Sequence, residues 1–191
     1  MRWGSRNIRI LQNLHKRAEE LTLREICSLT GPMDKKALLQ LFTEKVAGDL
    51  HVMTQAAIAA HEGATHAESK AEDQYDTRGL ESSYLAGAQS KRALELEATL
   101  GLFRFIDLRV FTLATPIAAT AVIELASDGK HARYFFMPKG GGMSVTFQGH
   151  SVLIVTPQSP LGEAILGRKV GDAIEVGVGA TSRDYEIIAV W

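Results

Sequence analysis

Cysteine occurs once, at Cys27, so the chain cannot close a disulfide within itself, and a lone thiol fits a reducing compartment. No stretch approaches the run of about 20 apolar residues that a membrane span needs. The first residues lack the apolar core and small-residue cleavage site of a secretory signal. Together these absences make a cytoplasmic location without membrane association the expectation. An excess of either charge is also lacking: 21 basic against 22 acidic residues leave a formal net charge of −1. No global field therefore draws the chain to nucleic acid or to a lipid surface. The glycine-rich stretch Pro138-Lys139-Gly140-Gly141-Gly142 lacks the Lys-Ser/Thr ending of a phosphate loop and reads as a flexible turn rather than a nucleotide site. Proline is missing from Asp34 to Arg104, and strand-like alternation is missing there too. What remains, 46% hydrophobic residues in 191, suffices for a real core in one domain or two small ones.

Charge is distributed unevenly along the chain. Residues 1–32 hold six basic and three acidic residues, with Ile8, Leu11, Leu14 and Leu21 near helical spacing. Gly31-Pro32 breaks this segment just before Met33. Two readings stand for it: an N-terminal helix packed on the rest, or an upstream extension with Met33 as the biological start.

From Met33 to Arg104 the pattern is helical. Leu39, Phe42, Val46, Asp49, Met53, Ala56, Ala60, Gly63 and Ala67 follow a 3-4-3-4 spacing, the seam of a coiled coil. Leu80, Tyr84, Gly87, Lys91, Leu94, Ala98 and Gly101 repeat it on a return arm. A seam that long must bury itself, and the second half of the same segment is the nearest partner. The sequence thus predicts an antiparallel helical hairpin over 33–104 with its tip around Gly63 to Ala71. A turn at Arg78-Gly79 would leave the arms unequal. Each arm of about 33 residues reaches roughly 50 Å at 1.5 Å per residue. Phe42 and Tyr84 are expected to pack in the seam.

Beyond Phe105 strand patterns dominate. Val110 to Leu113, Ala121 to Leu125, Arg133 to Met137 and Ser151 to Val155 are strand candidates, and Asp128-Gly129 reads as a hairpin turn. Near the end, Ser159 is placed to cap a short helix with Pro160 in its first turn. Leu161, Ala164, Ile165 and Leu166 supply its apolar residues, and Gly167 stops it. Gly171-Asp172 marks a turn into a strand over Ala173 to Val178. In a last strand from Tyr185 to Trp191, Tyr185, Ile187, Ala189 and Trp191 share one face, with Ile188 and Val190 on the other. The expected architecture is α+β: a long helical hairpin, then over 105–191 a small antiparallel sheet with one short helix.

The order Ser159-Pro160-Leu161-Gly162, Gly167, Gly171-Asp172 and the closing Tyr185-Glu186-Ile187-Ile188 resembles the C-terminal signature of the GreA/GreB transcript-cleavage factors. The resemblance implies that residues 105–191 are FKBP-like in shape and dock on bacterial RNA polymerase at the rim of its secondary channel. Ser159, Pro160, Leu161, Gly162, Leu166 and Gly167 would be the partner-binding residues. It further implies that the hairpin enters the channel as a monomer and helps the polymerase cut backtracked RNA, so that the chain is not itself an enzyme. No cofactor would be tightly bound; a magnesium ion would be shared with the polymerase in the complex.

In that family an Asp and a Glu three residues on, within a Gly-Asp-Leu-Ser-Glu-Asn-like tip, help hold the metal. This chain lacks that motif. With Tyr75 set on the family's post-tip tyrosine, Glu68 takes the Asp position, and the Glu position falls on Ala71 beside Glu72. Glu68 and Glu72 are the candidate magnesium residues, with Asp73 as a further catalytic carboxylate, since hard oxygen ligands and water suit magnesium. Six acidic residues lie between Glu62 and Glu81 against two basic ones, while Lys35, Lys36, Lys45, Lys91, Arg92 and Arg104 lie nearer the stem. An acidic end without the motif equally fits a non-catalytic regulator, Gre-related or DksA-type, that binds the channel without inducing cleavage. A hairpin interaction module unrelated to transcription is the third reading. His61 and His66, five apart, do not align on one helix face as metal ligands. Ser159 has no His/Asp partner that would make it a nucleophile.

Overall fold

The computed structural model describes residues 33–65, 78–177 and 182–191. The chain divides into two units, Met1–Asp34 and Lys35–Trp191, and the second contains every helix and strand described. Two long helices open it, α1 (Lys35–Thr65) and α2 (Arg78–Phe105). Six strands come next, β1 (Val122–Ser127), β2 (Lys130–Phe136), β3 (Ser144–Phe147), β4 (His150–Val155), β5 (Ala173–Val176) and β6 (Arg183–Val190), with the short helix α3 (Pro160–Ile165) between β4 and β5.

The two long helices pack against each other. On α1 the seam residues Leu39, Phe42 and Val46 are buried, and Asp49, Met53 and Ala56 are half-buried, as the 3-4 spacing predicts. On α2 the register differs from expectation. Tyr84 is 72% and Leu94 65% exposed, and Lys91 and Ala98 also face outward; Ala93, Leu96, Leu100 and Phe103 turn inward instead. Two residues correspond to about 200° around a helix, so the buried stripe lies on nearly the opposite face. The large side chains at the C-terminal end decide it: Leu96, Leu100 and Phe103 are buried, and Leu96 and Phe103 lie against the glycine-rich turn around Gly140. Arg78 and Gly79 begin α2 and are not a turn. The expected tip falls largely on residues 66–77, which lie outside the described residues.

The sheet has the order β3-β4-β2-β1-β6-β5. It is mixed, not antiparallel as expected: β2 and β4 run parallel, with Arg133 opposite Val152 and Phe136 opposite Val155. The missed strand β3 explains the difference, because β4 pairs back on it and so lies parallel to β2. Asp128 (φ 50°) and Gly129 (φ 72°) form the turn from β1 to β2, both central residues left-handed as a tight hairpin requires. Val110 to Leu113 is not a strand. Thr112 and Thr115 close a local turn through a backbone bond of 2.9 Å and paired hydroxyls 2.7 Å apart, and Val110 is 87% exposed. Strand β5 ends at Val176, and Val178 lies outside the described residues.

In β6 a bulge opposite Glu124 and Leu125 pairs Leu125 with Ile187 and Glu124 with Ala189. It advances the alternation by one residue, so Ile187 and Val190 both enter one core, against the expected opposition of faces. That core joins Phe111, Ile117, Ile123, Leu125, Phe136, Ile165 and Ile174 beneath α3.

The start of α1 and the end of α2 both meet the sheet, so the helices run in opposite directions. Phe42 sits 6.1 Å from Phe135 of β2, ring to ring. The Lys35 ammonium donates to the carbonyls of Arg109, Thr120 (3.0 Å) and Trp191 (3.1 Å) and stands 4.7 Å from the Phe111 ring. Burial pushes Lys35 down from 10.5 to about 8. On β1 the Glu124 carboxylate accepts from Arg133 Nε at 2.8 Å and from His131 Nδ1 at 3.0 Å. Burial alone would raise its pKa, but those two hydrogen bonds and the neighbouring charge hold it below the usual value.

The Phe42 and Lys35 contacts both have measurable consequences for stability. Phe42→Ala empties a fully buried contact and is expected to cost about 3–5 kcal/mol in urea unfolding. Between pH 8 and 10.5 the unfolded chain keeps the Lys35 proton that the folded chain has released, so stability attributable to this group rises with pH across that window. Lys35→Met should remove that rise; an unchanged slope between the two proteins contradicts the burial of the ammonium.

Candidate functional site

The segment Thr156 to Arg168 is organised around one carbonyl. Thr156 O accepts the Ser159 amide at 3.0 Å and the Ser159 hydroxyl at 2.8 Å. The same hydroxyl oxygen accepts the Gly162 amide at 3.0 Å, which caps α3 as the sequence predicts, with Pro160 at the start of the helix where its missing N–H costs nothing. Gly162 has no room for a side chain: a Cβ there would lie 1.9 Å from Thr156 O. That requirement is invisible in the sequence, because it comes from the chain folding back on itself.

Gly167 adopts the expected left-handed conformation (φ 76°) and donates to Ile117 O at 2.9 Å. Ile117 in turn donates to Arg168 O at 2.8 Å, so the end of α3 is stitched to the segment before β1. Lys169 N donates to the Asp172 carboxylate at 2.9 Å, and Asp172 O and Gly171 N bracket Ile187 on β6 at 3.0 and 2.8 Å. Ser159, Gly162, Gly167, Gly171 and Asp172 of the motif thus each have a structural partner. Ile165 is fully buried, whereas Leu166 is 51% exposed and Pro160 faces outward.

Beside α3 runs a groove of about 610 Å³, lined by Gly141, Gly142, Leu153, Thr156, Gln158, Ser159, Pro160, Leu161 and Val176. Its wall is largely apolar, and the glycine-rich turn forms one side. That turn is packed: a Cβ on Gly140 (φ 85°) would meet Met143 and Phe103, and one on Gly141 would crowd Thr156. The sequence reading of a merely flexible turn missed this, since nothing local marks its neighbours. Ser159, Pro160 and Leu161 come together on the groove, Gly162 lies buried beneath it, and Leu166 and Gly167 lie at the far end of α3.

Glu68, Glu72 and Asp73 lie outside the described residues, as does His66; His61 is exposed on α1. Of the stem cations, Lys36, Lys45, Lys91, Arg92 and Arg104 are exposed, but Lys35 is drawn into its carbonyl cage. Among the described residues no three His, Cys, Asp or Glu side chains converge to hold a metal ion. Nor is any described helix long and apolar enough to cross a membrane.

Residues 117–191 match the family model described as transcription elongation factor GreA/GreB, C-terminal. Its C-terminal part, residues 117–191, is thus a GreA/GreB C-terminal domain. Curated members of that family are similar over more than the C-terminal part. The transcription elongation factor GreA of Syntrophus aciditrophicus strain SB is 26% identical over 127 residues, which are 66% of this chain and 73% of that protein. GreA of Xylella fastidiosa strain M12 is 27% identical over 132 residues, 69% of this chain and 78% of that protein. Among solved structures, the GreA factor homolog 1 (Gfh1) of Thermus thermophilus is 20% identical, with 78% of this chain and 94% of that one covered at a TM-score of 0.32. GreA/GreB from Nitrosomonas europaea gives 17% identity, 58% and 91% coverage and a TM-score of 0.32.

The geometry separates motif residues that hold the fold from those that are free to touch a partner. Gly162→Ala is expected to destabilise by about 1–3 kcal/mol or more, because the clash is with backbone. Ser159→Ala should cost about 1 kcal/mol through the lost cap. Leu166→Ala should stay within about 0.5 kcal/mol of the parent. Thermal unfolding of the three variants checks the ranking, and a tolerated Gly162→Ala would contradict it.

Proposed function

We propose that this chain is a Gre-type transcription elongation factor that binds RNA polymerase at the secondary channel and stimulates the polymerase's own cleavage of backtracked RNA. The observation that carries the docking half is the apolar groove beside α3, with exposed Pro160 and Leu166 on a helix whose every other motif residue is fixed internally. An apolar patch on a rigid support is what a protein partner can use without an ordering cost. Residues 105–191 act as an FKBP-like docking domain and residues 33–104 as a coiled-coil hairpin that reaches into the channel, as a monomer. The exposed cations on the stem and the carboxylates further out suit passage along phosphates toward a metal. There Glu68 and Glu72, helped by Asp73, share the magnesium ion that activates water in the polymerase site. Hydrolysis remains the polymerase's reaction, and this chain is no independent enzyme.

One observation favours a second reading. The residues from Gly63 to Tyr75 do not carry the family's acidic tip motif. A non-catalytic regulator that occupies the channel would need the docking groove and not the tip chemistry.

Stalled, backtracked complexes with magnesium distinguish the two. Cleavage predicts shortening of the transcript from its 3′ end, and Glu68→Ala with Glu72→Ala should reduce the rate at least tenfold while binding persists. Regulation predicts binding without shortening, and competition with a cleaving Gre factor. Leu166→Glu should weaken polymerase binding by about tenfold or more in either case, the effect of one truncated anchor residue. Undiminished binding by Leu166→Glu removes α3 from the interface.

A further inference from the structure

On the sheet, at the lower ends of β2 and β4, two histidines and a buried carboxylate are brought together in a way the docking function does not use. Glu124 is 8% exposed, and its two oxygens are committed separately, one to Arg133 Nε and one to His131 Nδ1. A carboxylate only accepts, so His131 Nδ1 carries a proton, and Nε2 is the ring nitrogen left for a ligand. The imidazole itself is 58% exposed. Strands β2 and β4 run parallel with Arg133 opposite Val152. His131 and His150 each stand two residues before this first pair, at the same end of the two strands. Both histidines line a single cavity of about 320 Å³ together with Glu124, Arg133 and Ser151. The Arg133 charge is balanced by Glu124, and its guanidinium lies 5.5 Å from the Trp191 ring.

We propose that His131 and His150 form a binding site for a borderline divalent transition metal of the zinc class, with Glu124 as the residue that orients His131. The order carboxylate, imidazole, ion is the arrangement that fixes the tautomer and raises the basicity of a ligating histidine. Parallel strands stand about 4.8 Å apart, within reach of two nitrogens that each approach one ion to about 2.1 Å. No three ligating side chains converge among the described residues, so the protein supplies two nitrogens and water completes the coordination. Imidazole selects such a metal over magnesium, which takes oxygen ligands. An ion held there ties β4 to β2 and stabilises the folded chain in proportion to its occupancy.

Isothermal titration of the full chain with zinc chloride at pH 7.5 tests the site, with magnesium chloride as the comparison. The expected result is one zinc equivalent that requires both histidines: His150→Gln and His131→Gln each weaken it at least tenfold, and the double variant loses that equivalent. Zinc should also raise the melting temperature of the parent chain and not of the double variant. Glu124→Gln should weaken zinc about 10–100-fold; if that variant fails to fold, His150→Gln, an exposed change, still decides. The chain holds four other histidines and Cys27, so zinc binding of unchanged stoichiometry and affinity in the double variant places the ion elsewhere and overturns the proposal. So does the absence of zinc binding by the parent chain, or equal binding of magnesium.

Discussion

The position of the long helices on the sheet depends on the first residue of α1. Lys35 gathers carbonyl oxygens from three segments far apart in sequence, at Arg109, Thr120 and Trp191. Thr120 is itself held in the left-handed region (φ 73°), which for a β-branched residue costs about 1–3 kcal/mol. It stays there because every polar group it has is engaged: its amide donates to Phe136 O at 2.8 Å, its hydroxyl accepts from Arg109 N at 3.0 Å, and its carbonyl takes Lys35. A helix started at that knot has its rotation fixed. Seven residues on, two turns along the same face, Phe42 lands on Phe135. The seam of α1 and the face of the sheet are thereby set in one register.

The same economy of contacts governs the C-terminal motif. A motif that identifies a family invites the reading that each of its residues touches the partner. The geometry divides it instead. Ser159 and Gly162 close a turn on Thr156 O, Gly167 and Arg168 are stitched to Ile117, and Asp172 is bonded to Lys169 and Ile187. These residues hold α3 in place over the core. What they leave outward, Pro160 on the rim of an apolar groove and the half-exposed Leu166 at the far end of α3, is small and rigidly presented. Docking in the proposed function therefore rests on few side chains, and the motif's spacing is a folding requirement first.

How much of the fold and the candidate site could be read from the letters depended on the range of the interactions. Local rules succeeded where local groups decide: the Ser159 cap, the left-handed Gly167, the Asp128-Gly129 turn and the seam of α1 from Leu39 to Ala56. They failed where a distant partner decides. The buried stripe on α2 lies two residues from the spacing begun at Leu80, because its burial is set at the C-terminal end, where Leu96 and Phe103 pack against the turn around Gly140. Val110 to Leu113 has strand composition, yet two threonine hydroxyls hold it in a turn. The parallel pairing of β2 with β4 is a consequence of the short strand β3, whose alternation over four residues is too brief to register. The bulge at Ile188 carries no residue signature at all. Gly162 stands out in the sequence only by its place in the motif; its reason, a carbonyl 1.9 Å from any Cβ, belongs to tertiary structure.

The helix pair also grades in stability along its length, and the grading bears on function. Near the sheet its seam is made of Leu38, Leu39, Phe42, Val46, Leu96, Leu100 and Phe103, all buried. Further out the contact is made by Met53, Ala56 and Ala93, and the large apolar side chains Val52, Ile58, Leu85 and Leu94 face outward. The buried Gln89 Oε1 finds no hydrogen-bond partner among the described residues, an omission that costs about 1–3 kcal/mol. Apolar burial scales with side-chain area, so the seam is strongest at the Lys35 knot and weakens toward the acidic segment. A rod anchored in this way is fixed at its base, while its outer half is held by fewer large side chains and opens a groove of about 730 Å³ between Leu50, Ala57 and Ile58 of α1 and Ala93 and Leu94 of α2. In the proposed function, a fixed base and a thinner far end suit a chain that docks at one place and acts at another.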